Sequence, residues 1–363
     1  MSKKPTIALI PSGYKGGTSS GDLYCILPND GDQDFQLARN VVANRYNKDG
    51  LIQEMSAHTP RLDFLKSECP AMLRENQRTN LQLRSEEFDN SVWSKVNVSI
   101  TANQIVAPNG EYTADQLTAT ASSLSTYIYE QHSLSTSSDY CMSVFVKKGT
   151  SNLVRFDLED FTSGTQARMT FNLNTKEITQ TVGTASYEDY GNGWYRLKVS
   201  FTTSATLGIH YLRIWDYETV NSAYFYLWGA QLEAGRGSTS YIKTEGATVT
   251  RVIDNLECTT TYTVGSDCTW YFDFEAYSYD SSFKQLFLIR NGAFTQYIDI
   301  ISYESGGTYY MRARATSNGG TQNYIIAFGE DAILNFTRNR VAIRLYGSNY
   351  EVYVNGTREY TGT

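Results

Sequence analysis

The sequence predicts an all-β protein made of an extended N-terminal segment, a jelly-roll β-sandwich and a second β-sandwich. Three observations lead to this prediction. The 363-residue chain has 28 tyrosines and only 6 prolines, and aromatic and β-branched residues favour strands. Apolar and polar residues alternate in many short runs, as they do in half-buried strands. Turn signals rich in Gly, Asn and Ser separate these runs by about 8–12 residues, which is typical of sandwiches.

The composition excludes several classes of protein. Hydrophobic residues make up 41% of the chain and charged residues 19%, which is sufficient for hydrophobic cores and argues against a disordered chain. The net charge is -7 and the sequence has no basic stripe, so we expect no nucleic-acid partner and no binding to anionic membranes. The sequence also lacks an apolar run of about 18 residues, so no transmembrane helix is expected.

The first element is residues 1–74, whose Gly-, Ser-, Asn- and Asp-rich stretches predict loops and short strands. This segment has too little apolar surface for a core of its own, so we expect it to lie on the next domain or on a partner. Basic and acidic residues recur together along it and just beyond it. We interpret them as structural ion pairs that pin the segment, because the nearly neutral local charge disfavours phosphate binding: Arg39, Arg45, Arg61, Arg74 and Arg78 near Asp34, Asp49, Asp63 and Glu75.

A helix start is predicted next, at Ser85. Its hydroxyl is a good N-cap, and Glu86 and Glu87 suit the positive end of a helix dipole. Phe88 and Trp93 would then lie near one face of a short helix.

Strands of the first sandwich follow in the pattern of apolar residues, at 141–146, 153–158, 169–173, 195–201 and 224–228. Asn192 and Gly193 supply the positive φ that a hairpin turn requires. Trp194 comes directly after this turn, and we expect it to be a core anchor rather than a residue that stacks on sugar.

A second series of strands begins after residue 251, at 269–277, 285–290, 296–303, 308–315, 322–328, 340–346 and 351–360. Asn355-Gly356 between alternating runs is a strong hairpin signal. The sequence stops soon after this hairpin, which would leave an exposed strand edge. We therefore expect either a longer native protein or pairing with neighbouring subunits.

Cysteine and histidine give no sign of a metal or cofactor, and we expect neither. The five cysteines form no CxxC pair. Free thiols in a reducing cytosol are the favoured interpretation, with a Cys258–Cys268 bridge as the alternative. The histidines His58, His132 and His210 are scattered, without the spacing of metal ligands.

Aromatic residues near a carboxylate are candidates for carbohydrate binding. A ring can stack on the C–H groups of a sugar, and a carboxylate can accept from its hydroxyls. With Ile214 in the core, Trp215 would turn to the other face of its strand. An equally good alternative is that these aromatics bury area between subunits. The candidate residues are Tyr127, Tyr129, Trp215, Asp216 and Tyr217.

A set of short motifs between residues 40 and 251 forms a specific combination: YNKDGLI (46–52), PRLD (60–63), QRTNL (77–81), SEEF (85–88) with Trp93, GNGWYR (191–196), WGAQLE (228–233), SYIKT (240–244) and VTR (249–251). Through these motifs, residues 40–251 resemble the virion fibre and head-spike proteins of tailed bacteriophages of the crAss-like type, with their carbohydrate-binding-module-like jelly roll. Residue Asn76 stands where that family usually has proline. Through 340–344 and 350–356, residues 258–363 more loosely resemble a concanavalin-like sandwich.

The resemblance implies a structural virion protein, a homotrimeric head fibre or tail fibre assembled in the host cytoplasm and exposed on the particle. Residues 1–74 would anchor it to capsid or tail proteins, residues 75–250 would form the jelly roll, and residues 251–363 an incomplete concanavalin-like sandwich. The β domains would face outward for adhesion to a bacterial surface glycan. The alternatives are a glycan-specific receptor-binding module of a tail fibre and, third, a polysaccharide depolymerase.

We expect no catalytic residues. Asp273 and Glu275 face the same way on one strand, but a glycosidase needs two carboxylates that flank the scissile bond at a set separation. The Glu-x-Asp-x-x-Glu type of cluster found in concanavalin-like glycoside hydrolases is missing. Asp157, Glu159 and Asp160 are no better candidates, and the sequence has no P-loop or Gly-x-Gly-x-x-Gly motif.

Overall fold

The computed structural model describes residues 15–16, 22–24, 35–206, 208–258, 267–275, 284–290, 297–305, 308–316, 322–328, 338–346 and 349–362. All regular secondary structure in these ranges is β-strand, which confirms the all-β prediction. None of the described residues forms a helix that is long and apolar enough to cross a membrane. The chain divides into two compact units, Met1–Ala234 with Ser238–Thr261 and Gly235–Gly237 with Tyr262–Thr363. The finer three-part division of the sequence stays a prediction.

The strands of the first unit, in chain order, are β1 (Lys15–Gly16), β2 (Asp22–Tyr24), β3 (Phe35–Ala38), β4 (Ala43–Tyr46), β5 (Ile52–Met55), β6 (Arg61–Asp63), β7 (Ala71–Leu73), β8 (Arg78–Asn80), β9 (Ser94–Val96), β10 (Val98–Ile105), β11 (Ala114–Ala119), β12 (Tyr127–His132), β13 (Asp139–Lys148), β14 (Leu153–Asp160), β15 (Gly164–Asn172), β16 (Ile178–Val182), β17 (Thr184–Asp189), β18 (Trp194–Thr202), β19 (His210–Asp216), β20 (Tyr224–Ala234), β21 (Val249–Arg251) and β22 (Asn255–Cys258).

Two six-stranded antiparallel sheets form the sandwich of the first unit. We call the sheet with strand order β10-β11-β20-β13-β18-β17 the front sheet, and the sheet with order β16-β15-β14-β19-β12-β9 the back sheet. Their facing sides form one continuous hydrophobic core, in which residues such as Val144 and Leu197 of the front sheet meet Phe156 and Ile214 of the back sheet. Full burial of such a side chain stabilises the fold by about 1.5–3 kcal/mol.

The N-terminal segment packs on the outer side of the front sheet. Ile52, with Tyr46 and Leu65 beside it, joins a second apolar cluster that includes Phe145 and Trp228 of that sheet. The segment therefore finds its core on the next domain, which was one of the two expected possibilities. Burial of these residues no longer requires a partner chain.

Buried ion pairs hold this segment in place, and the pair of Arg61 with Glu75 is one that the arginine pattern predicted. Arg45 was also expected to form an ion pair, but it donates to the side chain of Gln53 and to the carbonyl of Leu62. Arg39 donates to Asp254 at 2.7 Å, and Arg61 pairs with both Asp254 and Glu75, the latter at 2.7 Å. Burial raises the pKa of Glu75, but Arg251, Arg61 and hydrogen bonds from Ser240 outweigh it and lower the pKa to about 2. Because a buried charge without its partner is costly, the cluster fixes one arrangement of the segment.

The predicted helix at Ser85 is wrong, because this stretch forms turns. The Ser85 hydroxyl lies 2.7 Å from the hydroxyl of Tyr241 and accepts from the backbone N–H of Thr244, so it is not available as a cap. Phe88 and Trp93 are nevertheless both buried and in contact, with ring centroids 5.0 Å apart.

Other local predictions for the first unit are confirmed. Asn192 and Gly193 have φ of 52° and 78° at the turn before β18. Trp194 is a buried anchor whose indole N–H donates to the carbonyl of Val106 at 3.1 Å.

The thiols of Cys69, Cys141 and Cys268 are free, so Cys268 does not form the alternative bridge.

The second unit contains two four-stranded antiparallel sheets, with orders β23-β28-β29-β30 and β24-β25-β26-β27. Phe272 and Phe274 of the first of these sheets contact Phe287 of the other, so these sides face each other. Asn355 and Gly356 have φ of 50° and 90° and form the predicted hairpin between the last two strands. The strands are β23 (Cys268–Glu275), β24 (Lys284–Arg290), β25 (Tyr297–Ser305), β26 (Thr308–Thr316), β27 (Gln322–Phe328), β28 (Arg338–Tyr346), β29 (Asn349–Val354) and β30 (Thr357–Gly362).

Candidate functional site

The outer side of the back sheet carries a row of five aromatic rings in contact with one another, which we call the aromatic row. The ring of Trp215 lies 4.0 Å from that of Tyr127, and Tyr127 lies 6.1 Å from Tyr129. Tyr129 lies 5.1 Å from Tyr211, and Tyr211 lies 4.5 Å from Phe161. The row follows from strand pairing, because β12 and β19 place Tyr127 directly opposite Trp215.

A network of paired charges flanks the aromatic row on β14, β15 and β19. Arg213 donates to Asp157 at 2.7 Å and to Glu159 at 2.9 Å, while Arg168 approaches Asp157 at 3.3 Å. Asp157 is inaccessible to solvent although it points to the outer side of the sheet, because these side chains cover it. We call these four residues the ionic network.

Trp215 joins the aromatic row to the ionic network and is only 9% exposed. Its indole N–H donates to Asp157 at 3.1 Å, and the guanidinium of Arg213 lies 4.8 Å from its ring centroid. It also lies under Tyr127. Trp215 therefore supports the surface, and the half-buried tyrosines present the accessible ring faces.

The other sequence candidates divide between the two sides of the back sheet. Tyr217 continues the outer side, and its ring is covered by the guanidinium of Arg155 at 3.5 Å. Asp216 is buried on the opposite side, where it accepts from Ser151 and from the backbone N–H of Glu218. Neighbouring residues of a strand point to opposite sides, so the grouping of Asp216 with the aromatics does not hold.

Phe161 stands at the open end of the row on a rigid loop and is 73% exposed. The carboxylate of Asp160 holds this loop, because it accepts from the backbone N–H groups of Thr162 and Ser163 at 2.8 and 2.6 Å and from that of Gly208 at 2.7 Å. Burial raises the pKa of Asp160, but these hydrogen bonds outweigh it and lower the pKa below its usual value. Because Phe161 contacts Tyr211, it extends a contiguous aromatic surface, and contiguous exposed apolar patches mark interaction sites.

Sequence reasoning missed several members of this surface. Tyr211 and Arg213 share the parity of Trp215 along β19, so strict alternation was the signal that would have found them. Phe161 and the carboxylates on β14 reach the surface only through the register between β14 and β19. Register between distant strands is not visible in a single sequence.

The chemistry of this surface suits a ligand that is apolar on its faces and polar at its edges. Tyrosine rings provide stacking area with little loss of side-chain entropy, and their hydroxyls form hydrogen bonds. The guanidinium and carboxylate groups beside them add donors and acceptors held in fixed positions. No group of His, Cys, Asp or Glu among the described residues could hold a metal ion.

Comparison with known proteins gives weak likenesses only. No protein-family model matches the chain, and no curated protein matches it. One similar structure is that of the CBM22-1–GH10 modules of the Clostridium thermocellum endo-1,4-β-D-xylanase 10B complexed with xylohexaose. It has 17% sequence identity and a TM-score of 0.30, and the match covers 47% of this chain and 30% of that one.

A second similar structure is the enzymatically active domain of tailspike protein 4 of bacteriophage CBA120. It has 10% identity and a TM-score of 0.29, with 43% of this chain and 21% of that chain covered. This chain thus matches less than a third of the length of either protein. Both TM-scores are below 0.5, so the two likenesses carry no argument about function.

Proposed function

We propose that this chain is a glycan-binding structural protein of a bacteriophage fibre and that the aromatic row is its glycan site. The observation that carries the proposal is the continuous contact of five rings, from Trp215 to Phe161, on one side of one sheet. Stacked against a sugar, such rings bury C–H groups while tyrosine hydroxyls and the ionic network bond the hydroxyls. A row of rings favours an oligosaccharide over a single sugar.

We further propose that the site binds without catalysis. The two carboxylates beside the row, Asp157 and Glu159, are both engaged by Arg213. A glycosidase requires one carboxyl group that gives a proton to the leaving oxygen. Asp157 is inaccessible to solvent, so only Glu159 could approach a glycosidic oxygen, whereas a glycosidase needs two such carboxyl groups.

The assembly of the fibre is a proposal that rests on the sequence resemblance. It comprises a homotrimer on the virion, attached to capsid or tail proteins through residues 1–74. The structure adds that residues 39–75 are fixed within the first unit by the cluster of Arg39, Arg61 and Asp254. Such a connection would hold the sandwich in a fixed position relative to the anchored segment.

The glycan site is tested on an array of bacterial capsular and O-antigen oligosaccharides. Tyr129→Ala and Tyr211→Ala should each weaken binding by about tenfold or more, since an aromatic pair contact alone is worth about 0.5–1.5 kcal/mol and ring burial adds to it. Tyr112→Ala is the matched control, because Tyr112 is an exposed tyrosine outside the back sheet. Unchanged binding in both row variants would disprove the site, and release of reducing sugar would revive the depolymerase.

The fibre assignment is tested separately. Antibody labelling of intact particles in electron micrographs should mark a projection from the head or tail. Sedimentation of the full chain should give three times its mass of 40.9 kDa. A stable monomer at micromolar concentration would argue against the trimer.

A further inference from the structure

A second surface of unusual composition lies on the outer side of the sheet β23-β28-β29-β30 in the second unit. Strand register places Tyr271 opposite Ala342, Ala342 opposite Tyr353, and Tyr353 opposite Arg358. Two tyrosines thus flank an alanine across three adjacent strands, which lie about 4.8 Å apart. The side chain of Ala342 is small, so the register leaves a shallow gap between the positions of the two tyrosines. Their hydroxyls lie 3.5 Å from Asp273 and 3.1 Å from Glu351, respectively.

Arginines surround this gap. The side chains of Arg338, Arg340, Arg344 and Arg358 are 66%, 58%, 54% and 57% exposed. We call these four residues, together with Tyr271, Ala342 and Tyr353, the arginine face. By strand register, Arg340 lies on one side of the tyrosine–alanine row and Arg344 on the other.

The acidic partners of these arginines lie lower on the sheet. Asp273 is contacted by Arg338 at 2.6 Å and by Arg340 at 3.6 Å. Glu351 is only 7% exposed and pairs with Arg344 at 3.3 Å and with Arg358 at 3.4 Å. An approaching ligand therefore meets guanidinium N–H groups above, and carboxylates beneath them. Glu275 lies opposite Arg338 at the end of the sheet, away from the tyrosines.

We propose that the arginine face is a second ligand site, specific for a saccharide that carries carboxylate groups. A guanidinium fork binds a carboxylate with two parallel hydrogen bonds. An exposed arginine that shares its acidic partner with another arginine can bind a second carboxylate, that of a ligand. The phenol rings of Tyr271 and Tyr353 supply stacking area for the sugar ring. The site lies wholly in the second unit and does not depend on the aromatic row.

Charge density favours an acidic saccharide over a nucleic acid. A DNA duplex carries about one negative charge per 1.7 Å of its axis. Its phosphates would therefore also approach the carboxylates that lie next to the arginines. A sugar carboxylate is smaller and is recognised one group at a time.

The test measures binding of the full chain to polygalacturonate, alginate and polysialic acid, with dextran as the neutral polymer and a DNA duplex as the rival polyanion. The double variant Arg340→Ala/Arg344→Ala should weaken binding to an acidic polymer at least tenfold. The double variant Arg340→Lys/Arg344→Lys keeps the charge and loses the fork, so it should bind with intermediate affinity. Arg84→Ala is the matched control, because Arg84 is also a surface arginine paired with a carboxylate, Glu87, in the first unit.

Wild-type binding to at least one acidic saccharide, lost in the alanine variant and retained in the control, supports the proposal. Three results would overturn it: no binding to any of the three acidic polymers, equal binding by wild type and alanine variant, or tighter binding to DNA than to the saccharides. Thermal unfolding shows whether each variant is folded, and should not differ among them by more than a few degrees. Loss of the aromatic-row site in Tyr129→Ala leaves these outcomes unchanged, so the two proposals fail separately.

Discussion

Glu130 offers a test of the interior of the sandwich in which the sign and size of the effect can be worked out beforehand. It lies on β12, is only 3% exposed and accepts a hydrogen bond from the backbone N–H of Leu83 at 3.0 Å. Among the described residues, its second carboxylate oxygen has no hydrogen-bond partner. Burial raises the pKa of Glu130 from 4.5 to about 7, only partly offset by the Leu83 N–H.

The consequence for stability follows from the two pKa values. Below pH 4.5 the carboxyl group is protonated in the folded and the unfolded chain, so it costs nothing. Between pH 4.5 and about 7 the Glu130 carboxyl group is ionised in the unfolded chain and stays protonated in the folded chain. One pKa unit corresponds to about 1.4 kcal/mol, so above pH 7 the wild type is penalised by about 3 kcal/mol. Glutamine resembles the protonated form and avoids this penalty at every pH.

We therefore expect Glu130→Gln to gain about 3 kcal/mol over the wild type between about pH 4.5 and about pH 8. Urea unfolding followed by tryptophan fluorescence measures the free energy of unfolding at each pH. Glu111→Gln, in an exposed turn, is the control and should show no such gain. A difference between Glu130→Gln and wild type that stays constant across this range would refute the reasoning.

Three further predictions concern other buried groups. Burial and neighbouring His210 lower the pKa of His132 from 6.5 to about 4. Between these pH values the unfolded wild-type chain binds a proton at His132 and the folded chain does not, so acid destabilises the wild type. His132→Gln should therefore lose less stability than wild type between pH 6.5 and about 4, in an acid titration followed by circular dichroism. Asp254→Asn removes the charge shared by three buried arginines, Arg39, Arg61 and Arg251, and should cost about 3–5 kcal/mol, seen as a lower thermal midpoint and contradicted by an unchanged one. Trp215→Ala should also cost about 3–5 kcal/mol, because Trp215 is buried beneath Tyr127; an unchanged free energy of urea unfolding would instead place it on the open surface.

The sequence predicted those features that depend on neighbours along the chain. Alternation placed Ile214 in the core and turned Trp215 outward, and Asn355-Gly356 specified a hairpin. The same alternation separates Asp216 from Trp215, yet closeness in sequence suggested that they act together. Side chains on one face of a sheet are two residues apart along a strand. Their contact partners lie on the neighbouring strands.

The remaining features depend on contacts between distant segments. Ser85 has the sequence of a helix cap, but Tyr241, 156 positions further on, uses its hydroxyl. Arg61 was expected to form an ion pair, and its deepest partner is Asp254, 193 positions away. Local preference for a helix start is worth about 1 kcal/mol, which tertiary contacts readily exceed.

The clasp between β3 and β22 determines how the first unit would respond to a mechanical load. Their antiparallel register pairs Phe35 with Cys258, so the first residue of β3 and the last residue of β22 lie at the same end of the ladder. Tension applied at these two strand ends would open the ladder one hydrogen bond at a time and then reach the salt bridge from Arg39 to Asp254. The force would act on this short clasp before it reached the sandwich, so the aromatic row would keep its shape during the first stage of such unfolding.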